Sequence, residues 1–172
     1  AAQRISGWTD VDLTSTGVEQ AKAAGALLTQ WGPLDVWSSD LRRARRTAEL
    51  ATGLSPRVDR RLREINFGDL EGLRWPDLDP SVQASMKAFD TFTAPNGEST
   101  AALIERVTGF LDELPSGSHA VFCHGGTIRA ALLPLGFLEF VSNGTIVELD
   151  WTARTVIARH TVGGAPSVLN RR

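Results

Sequence analysis

Residues 120–130 place a histidine and two glycines between an apolar run and an amphipathic one. The apolar run ends at His124, Gly125 and Gly126 follow, and helical periodicity begins at Thr127. A buried strand passes into a helix through such a turn, where a Cβ would be in the way. The pattern therefore places His124 at the carboxyl end of a strand and beside a helix N-terminus. Ligands and anions bind there in open α/β sheets.

Helix-like and strand-like patterns alternate along most of the chain, which predicts a largely parallel sheet covered by helices. Thr14 or Ser15 is the predicted N-cap of a first helix, and Asp40 that of a second. The helical segments are predicted at 18–30, 40–52, 100–114 and 127–135, with a partly helical stretch at 75–89 that Pro76 and Pro80 break. Strands are predicted at 34–38 and 57–58, in the apolar run that ends at 124, and in a terminal hairpin at 143–150 and 154–160.

Composition limits the classes of protein that the chain can represent. Its 172 residues suit one domain, residues 1–172, with a sizeable core. A net charge of -2 does not suggest a nucleic-acid partner. No apolar run approaches the roughly 20 residues that span a bilayer. Cys123 is the only cysteine, which favours a reducing compartment, and a cytoplasmic protein is expected.

Four arginines crowd the start of the second predicted helix, at positions 42, 43, 45 and 46. Cations oppose the helix dipole at this end, so they require acidic neighbours or a bound anion. Most of these four arginines are expected to lie on a solvated face of the helix. Arg43 is offset from Arg42 and Arg46 by the helical repeat, so it can point at the carboxyl edge of the sheet. A guanidinium there can bind phosphate through paired hydrogen bonds.

Three acids, Glu64, Asp69 and Glu71, lie in a glycine-punctuated loop at 62–72. A carboxyl group in a partly desolvated cleft can have its pKa raised enough to act as a general acid near neutrality. Their spacing does not distinguish among the three. The three histidines of the chain have no paired ligand spacing, so no metal site is expected.

Five stretches, taken in order, resemble motifs of the histidine phosphatase superfamily, which has the phosphoglycerate-mutase-like fold. They lie at 7–21, 38–48, 62–72, 95–99 and 124–126. The resemblance implies a three-layer α/β sandwich with a mostly parallel central sheet covered by helices. It also implies a two-step phosphoryl transfer through phosphohistidine that needs neither metal nor other cofactor, because fixed cations stabilise the charge.

Residue by residue, the resemblance assigns catalysis to Glu64, as proton donor, and to His124, as a partner that also binds the phosphate. The family's nucleophile lies in an Arg-His-Gly motif upstream of the Gly-Trp loop, and this motif occurs nowhere in the chain. We expect residues before Ala1 to supply the nucleophile, a further arginine and the first, central strand of the sheet. The other positions that match substrate contacts of the family are Arg43 and Gly125 for phosphate, and Arg4, Ser6 and Gly7 at the pocket rim.

These matches favour a phosphomonoester phosphatase acting on a small phosphorylated metabolite. The chain has no long insertion between Ala48 and Thr93 of the kind that mutases use to enclose their substrate. A cofactor-dependent phosphoglycerate mutase is the alternative enzyme, and a non-catalytic phosphate-ester binder is the alternative outside catalysis. The substrate stays open among sugar phosphates, phosphoserine, α-ribazole phosphate and phosphoglycerates. The connection between Gly136 and Asn143 is shorter than usual in the family, and whether residues are missing there stays open. Whether the protein forms a homodimer also stays open.

Overall fold

The structure is a computed structural model and describes residues 4–162. Helices and strands alternate along this part of the chain, as the sequence predicts. In the described residues no helix is both long and apolar enough to cross a membrane. The helices are α1 (Ser15–Leu28), α2 (Arg42–Thr52), α3 (Pro80–Ala88), α4 (Thr100–Asp112) and α5 (Gly125–Leu132). The strands are β1 (Asp35–Ser38), β2 (Arg57–Val58), β3 (His119–Phe122), β4 (Thr145–Asp150) and β5 (Thr155–Thr161).

β1 lies at the centre of a parallel three-stranded sheet of order β2-β1-β3. Ser38 at the end of β1 is level with Phe122 at the end of β3, so both strands finish at one edge. The segments that follow these two strands therefore begin side by side. β4 and β5 form the predicted antiparallel hairpin. The predicted class, an α/β fold with a parallel sheet flanked by helices, is confirmed.

The cap of α1 agrees with the sequence, whereas that of α2 does not. Helix α1 begins at Ser15 and ends at Leu28, earlier at both ends than the predicted 18–30, and a 3-10 turn, Thr29–Trp31, follows it. Thr14 caps α1 by accepting a hydrogen bond from Gly17 N. The prediction that Asp40 caps α2 is wrong, because its carboxylate binds the Arg63 guanidinium through two 2.7 Å bonds. Two charge-assisted bonds are stronger than one bond to a backbone N–H. Asp10 takes the capping role instead and accepts a 2.8 Å bond from the backbone N–H of Arg42.

Two further predicted boundaries are shifted. Pro80 does not break a helix but begins α3, capped by Asp79, because the first helical position needs no N–H donor. Helix α5 begins at Gly125 rather than Thr127, and its last turn, Leu133–Leu135, is a 3-10 helix. The glycines therefore belong to the helix rather than to a turn before it, and His124 becomes its N-cap residue.

Small residues bring α1 and α2 close together. Ala21 and Ala24 of α1 are buried, as are Ala44 and Ala48 of α2. A Cβ at Gly25 would overlap a backbone oxygen of α2, so only glycine allows this approach. The packing holds α2, and with it the arginine-rich first turn, firmly beside the carboxyl end of β1. Larger side chains fill the rest of the interior, among them Leu62, Ile65, Leu103, Val107 and Phe110.

Candidate active site

A cleft of about 1130 Å³ opens where β1 and β3 end, and it continues along β3 and β4. Its walls come from segments far apart in the sequence. Six of the seven predicted site residues line it: Arg4, Ser6, Arg43, Glu64, His124 and Gly125. The fold thus brings together the residues that the sequence motifs single out, at the sheet edge where ligands bind in α/β proteins.

Arg43 lies in the first turn of α2 and is half-buried. Its guanidinium donates to the carbonyl oxygens of Ser6 at 3.3 Å, Gly7 at 2.7 Å and Thr9 at 3.0 Å. Burial lowers the pKa of Arg43, and the carboxylates of Glu64, Asp10 and Glu71 act in the opposite direction. An arginine remains charged under these conditions. Arg43 therefore presents a fixed positive charge to the cleft.

The neighbouring arginines have other partners. Arg42 pairs with Asp10 at 3.2 Å, and Arg46 pairs with Glu49 at 3.5 Å on the exposed side of α2. Acidic neighbours therefore compensate these charges at the start of the helix. Among the arginines 42, 43, 45 and 46, only Arg43 lines the cleft.

Glu64 is the acid of the 62–72 loop that reaches the cleft. Its carboxylate accepts hydrogen bonds from the backbone N–H groups of Ile65 at 2.9 Å and Gly126 at 3.1 Å. Burial raises the pKa of Glu64, although these two bonds and the Arg43 and Arg106 charges oppose the change. A raised pKa keeps a carboxyl group protonated nearer neutrality, which suits a proton donor.

The other two acids of the loop have different surroundings. Asp69 is exposed and accepts a 2.8 Å bond from the side chain of Asn96. Glu71 accepts hydrogen bonds from the backbone of residues 7–9 and does not line the cleft. Sequence spacing could not separate the three acids, but their contacts do.

The backbone around Glu64 is held by Arg106, which the sequence analysis missed. Arg106 donates to the carbonyl oxygens of Arg61, Arg63 and Glu64 at 2.6, 2.7 and 3.0 Å. It also pairs with Glu98 through bonds of 2.6 and 2.8 Å. Glu98 belongs to the 95–99 motif and lies just before α4. Arg106 follows it by eight residues, about two helical turns, and this spacing between an acid and an arginine was the signal available in the sequence. Three carbonyl oxygens that accept from one half-buried guanidinium fix the position of the acid.

His124 is the N-cap residue of α5 and is buried, with 8% of its surface exposed. Its Nε2 atom has no hydrogen-bond partner among residues 4–162. Burial holds the pKa of His124 well below its usual range, with the Arg43 and Arg106 charges acting in the same direction. The imidazole is therefore neutral near pH 7. Its free ring nitrogen is available to an anion oxygen in the cleft.

The rim residues differ from one another in exposure. Arg4 is exposed and donates to Gly72 O at 2.6 Å, and Ser6 is half-buried. Gly7 is buried and is not among the cleft-lining residues; its N–H donates to Glu71 and its carbonyl accepts from Arg43. Substrate contacts by Arg4, Ser6 and Gly7 stay a prediction. Within the described residues, no three His, Cys, Asp or Glu side chains are grouped as metal ligands would be.

Comparison with known sequences identifies the class of protein. The profile of the histidine phosphatase superfamily, branch 1, matches residues 1–164, and the chain belongs to this superfamily. Glucosyl-3-phosphoglycerate phosphatase of Mycobacterium tuberculosis (strain ATCC 25618 / H37Rv) is 34% identical over 170 residues, which cover 87% of this chain and 76% of that protein. The probable phosphoglycerate mutase GpmB of Erwinia tasmaniensis is 36% identical over 143 residues, or 77% and 66% of the two chains.

Solved structures agree with this assignment. The crystal structure of phosphoglycerate mutase from Thermus thermophilus has 46% sequence identity and a TM-score of 0.82, and the match covers 92% of this chain and 89% of that one. The native structure of a mycobacterial glucosyl-3-phosphoglycerate phosphatase has 34% identity and a TM-score of 0.70 over 78% and 72% of the two chains. The similar proteins thus include both phosphatases and mutases, and both names belong to enzymes.

Proposed function

We propose that the protein is a metal-independent phosphomonoester phosphatase that acts on a small phosphorylated metabolite through a phosphohistidine intermediate. The observation that carries the proposal is the convergence of Arg43, Glu64 and His124 on one cleft. Arg43 is a fixed cation, Glu64 is a carboxyl group with a raised pKa, and His124 has a ring nitrogen without a hydrogen-bond partner in the described part of the chain. Phosphoryl transfer needs charge stabilisation and a proton donor, and these three groups provide both.

The proposed reaction has two balanced steps. A nucleophilic histidine nitrogen attacks phosphorus in line, the bond from phosphorus to the alcohol oxygen breaks, and Glu64 gives its proton to that oxygen. Glu64, now a carboxylate, then takes a proton from water while the water oxygen attacks phosphorus. The phosphorus–nitrogen bond breaks and orthophosphate leaves. Arg43 and His124 hold the non-bridging oxygens throughout.

We further propose that the nucleophile belongs to a strand preceding Ala1 that lies beside β3. Within residues 4–162, β1 is the only strand paired with β3, so the other edge of β3 has no partner strand there. The cleft runs along β3 and along β4. A strand parallel to β3 in this position would end next to His124, and it would pair the backbone groups of that edge.

The complete gene gives the first test of the nucleophile. Codons for Arg-His-Gly are expected upstream of the codon for Ala1. The complete protein should then hydrolyse p-nitrophenyl phosphate at an undiminished rate in EDTA, and mass spectrometry of quenched enzyme should find phosphate on that histidine. Absence of the motif would leave a non-catalytic phosphate-ester binder, and loss of activity in EDTA would contradict the metal-independent mechanism.

A mutase is the competing activity, and the short connection between α2 and α4 is the feature that supports the phosphatase. Only 47 residues, 53–99, separate α2 from α4, and they contain the short strand β2, α3 and three 3-10 turns. No long covering segment is present among them, so water can reach the cleft. The decisive assay supplies 3-phosphoglycerate with and without bisphosphoglycerate. Hydrolysis that outpaces isomerisation supports the phosphatase, whereas primed isomerisation that outpaces hydrolysis would replace it with the mutase.

The substrate is best sought with a panel of phosphate esters. The 34% identity to a glucosyl-3-phosphoglycerate phosphatase supports placing that ester in the panel. Sugar phosphates, phosphoserine, α-ribazole phosphate and phosphoglycerates complete it. The ester with the highest kcat/KM identifies the class, and equal, slow hydrolysis of all members would contradict a dedicated metabolite phosphatase.

A further inference from the structure

Two consecutive peptide groups lie between the carboxylate of Glu71 and the guanidinium of Arg43. In the first, Gly7 N donates to the Glu71 carboxylate at 3.0 Å, and the Ser6 carbonyl accepts from Arg43 at 3.3 Å. In the second, Trp8 N donates to Glu71 at 2.8 Å, and the Gly7 carbonyl accepts from Arg43 at 2.7 Å. The two charged side chains therefore bind opposite ends of the same peptide dipoles.

The carboxylate of Glu71 is held by further donors. It accepts from Thr9 N at 3.2 Å, from Thr9 Oγ1 at 2.6 Å and from Phe67 N at 3.3 Å. Burial acts to raise its pKa, but the hydrogen bonds from Thr9, Trp8 and Gly7 outweigh burial and hold the pKa of Glu71 below its usual range. Glu71 is thus a fixed anion near neutral pH.

Gly7 makes the close approach possible. A Cβ at this position would overlap Ile65 O, the Glu71 carboxylate and the Phe67 ring. The backbone of residues 6–9 can therefore lie directly on Glu71 only with glycine at position 7. The carbonyl oxygens on the other side of this backbone then face Arg43.

From this arrangement we infer that Glu71 is a positioning residue for the phosphate site and acts on Arg43 through residues 6–9. Each peptide group is polarised by the carboxylate at its N–H, which strengthens the bond from its carbonyl to the guanidinium. Glu71 itself does not line the cleft, so it acts without touching the substrate. The inference rests on the proposed function only in taking Arg43 to bind phosphate.

Calorimetric titration of the complete protein with inorganic phosphate tests the inference. Glu71→Gln is expected to weaken phosphate binding about 10-fold or more, the order of effect seen when a residue that supports a metal ligand is removed. Asp69→Asn is the matched control, because Asp69 belongs to the same loop but contacts Asn96 instead. It should leave the affinity within twofold of the parent.

A double-mutant cycle separates positioning from general destabilisation. If Glu71 acts through Arg43, Glu71→Gln should add less than a twofold loss of phosphate affinity in an Arg43→Ala background. Full additivity of the two losses would overturn the inference.

A measurement made without phosphate separates the positioning role of Glu71 from the proposed function. The Nε–H signal of Arg43 in the NMR spectrum, assigned by its disappearance in Arg43→Ala, should shift or broaden in Glu71→Gln and not in Asp69→Asn. An unchanged signal in Glu71→Gln would overturn the positioning role. If the parent protein binds no phosphate, the proposed function fails, while this measurement still decides whether Glu71 positions Arg43.

Discussion

The backbone N–H of Gly126 donates to Glu64 Oε2 at 3.1 Å, across a sequence separation of 62 residues. A Cβ on Gly126 would overlap the same carboxyl group. The first turn of α5 therefore both binds the acid and leaves room for it. This contact joins the 62–72 loop to the segment that begins with His124, so the two groups occupy one site.

Gly126→Ala should displace the Glu64 carboxyl and lower kcat/KM for phosphate esters about 10²-fold or more, because small misplacements of a catalytic group are costly. Gly109→Ala in α4 is the matched control, since a Cβ there meets no atom of residues 4–162 within 4 Å. That change should leave activity intact and stabilise the helix by about 0.5–1 kcal/mol. Equal activity of the two variants would contradict the placement of Glu64.

Glu64→Gln should affect esters according to their leaving groups. An alkoxide needs a proton as it departs, so hydrolysis of a sugar or serine phosphate should fall about 10²- to 10⁴-fold. p-Nitrophenolate departs without one, so kcat/KM for its ester, which reports only the step up to departure of the alcohol, should fall far less. The parent should also lose activity on alkyl esters as pH rises through the raised pKa of Glu64. The pH–rate profile of the variant should lack this decrease. Equal losses on both kinds of ester would argue against a proton-donor role.

Arg43→Ala and Arg46→Ala compare two arginines of one helix. Arg43 lines the cleft, whereas Arg46 pairs with Glu49 on the exposed face. Loss of a fixed cation that stabilises the transition state should lower kcat about 10²- to 10³-fold in Arg43→Ala. Arg46→Ala should change it less than twofold. Steady-state kinetics on p-nitrophenyl phosphate measures both, and similar losses would refute the assignment of Arg43.

His124 should make stability depend on pH in a known direction. Its folded-state pKa lies well below the value of about 6.5 in an unfolded chain, so below that pH the unfolded state binds more protons than the folded state. Acidification from pH 7.5 to 5.5 therefore destabilises the fold, by at most about 1.4 kcal/mol per pH unit for this one group. His124→Asn should reduce the decrease, as measured by urea unfolding at both pH values. A decrease of unchanged size would contradict the buried, neutral state.

Arg106→Ala should destabilise the fold far more than removal of an exposed cation. The Arg106–Glu98 pair is partly buried, with side-chain exposures of 17% and 13%, so its loss should approach the roughly 3–5 kcal/mol that breaking a buried pair costs. Lys22→Ala removes the exposed Lys22–Glu19 pair and should cost no more than about 0.5 kcal/mol. Chemical denaturation of the two variants gives the comparison. A small effect at Arg106 would mean that other contacts hold the backbone around Glu64.

Local patterns were sufficient for much of the fold. The apolar run before His124, the cap at Thr14 and the terminal hairpin are set by neighbours within a few residues, and each agrees with the structure. The motif matches also placed Arg43 and His124 on the cleft. In each case the periodicity or the cap acts over one or two turns of chain, so it can be read without tertiary information.

Contacts between residues distant in the sequence determine the parts of the fold and site that local patterns did not predict. Asp40 has the sequence signature of a helix cap, but Arg63, 23 residues further on, binds its carboxylate. Nothing in the sequence around Arg106 indicates that it binds three carbonyl oxygens of the loop that contains Glu64. Spacing alone did not separate Glu64 from Glu71; the motif match favoured Glu64, and only the folded chain shows that its carboxyl, and not that of Glu71, lines the cleft.

The bridge from Glu71 to Arg43 has a consequence for how the protein acquires its site during folding. Residues 6–9 must meet Glu71 over separations of 62 to 64 residues and Arg43 over 34 to 37. Closing such loops is entropically costly, and contacts of this kind form late in folding. Helices such as α1 and α4 can thus be present in refolding chains that cannot yet bind phosphate. Recovery of phosphate binding should lag behind recovery of the helical circular-dichroism signal, so ligand binding marks the last stage of folding.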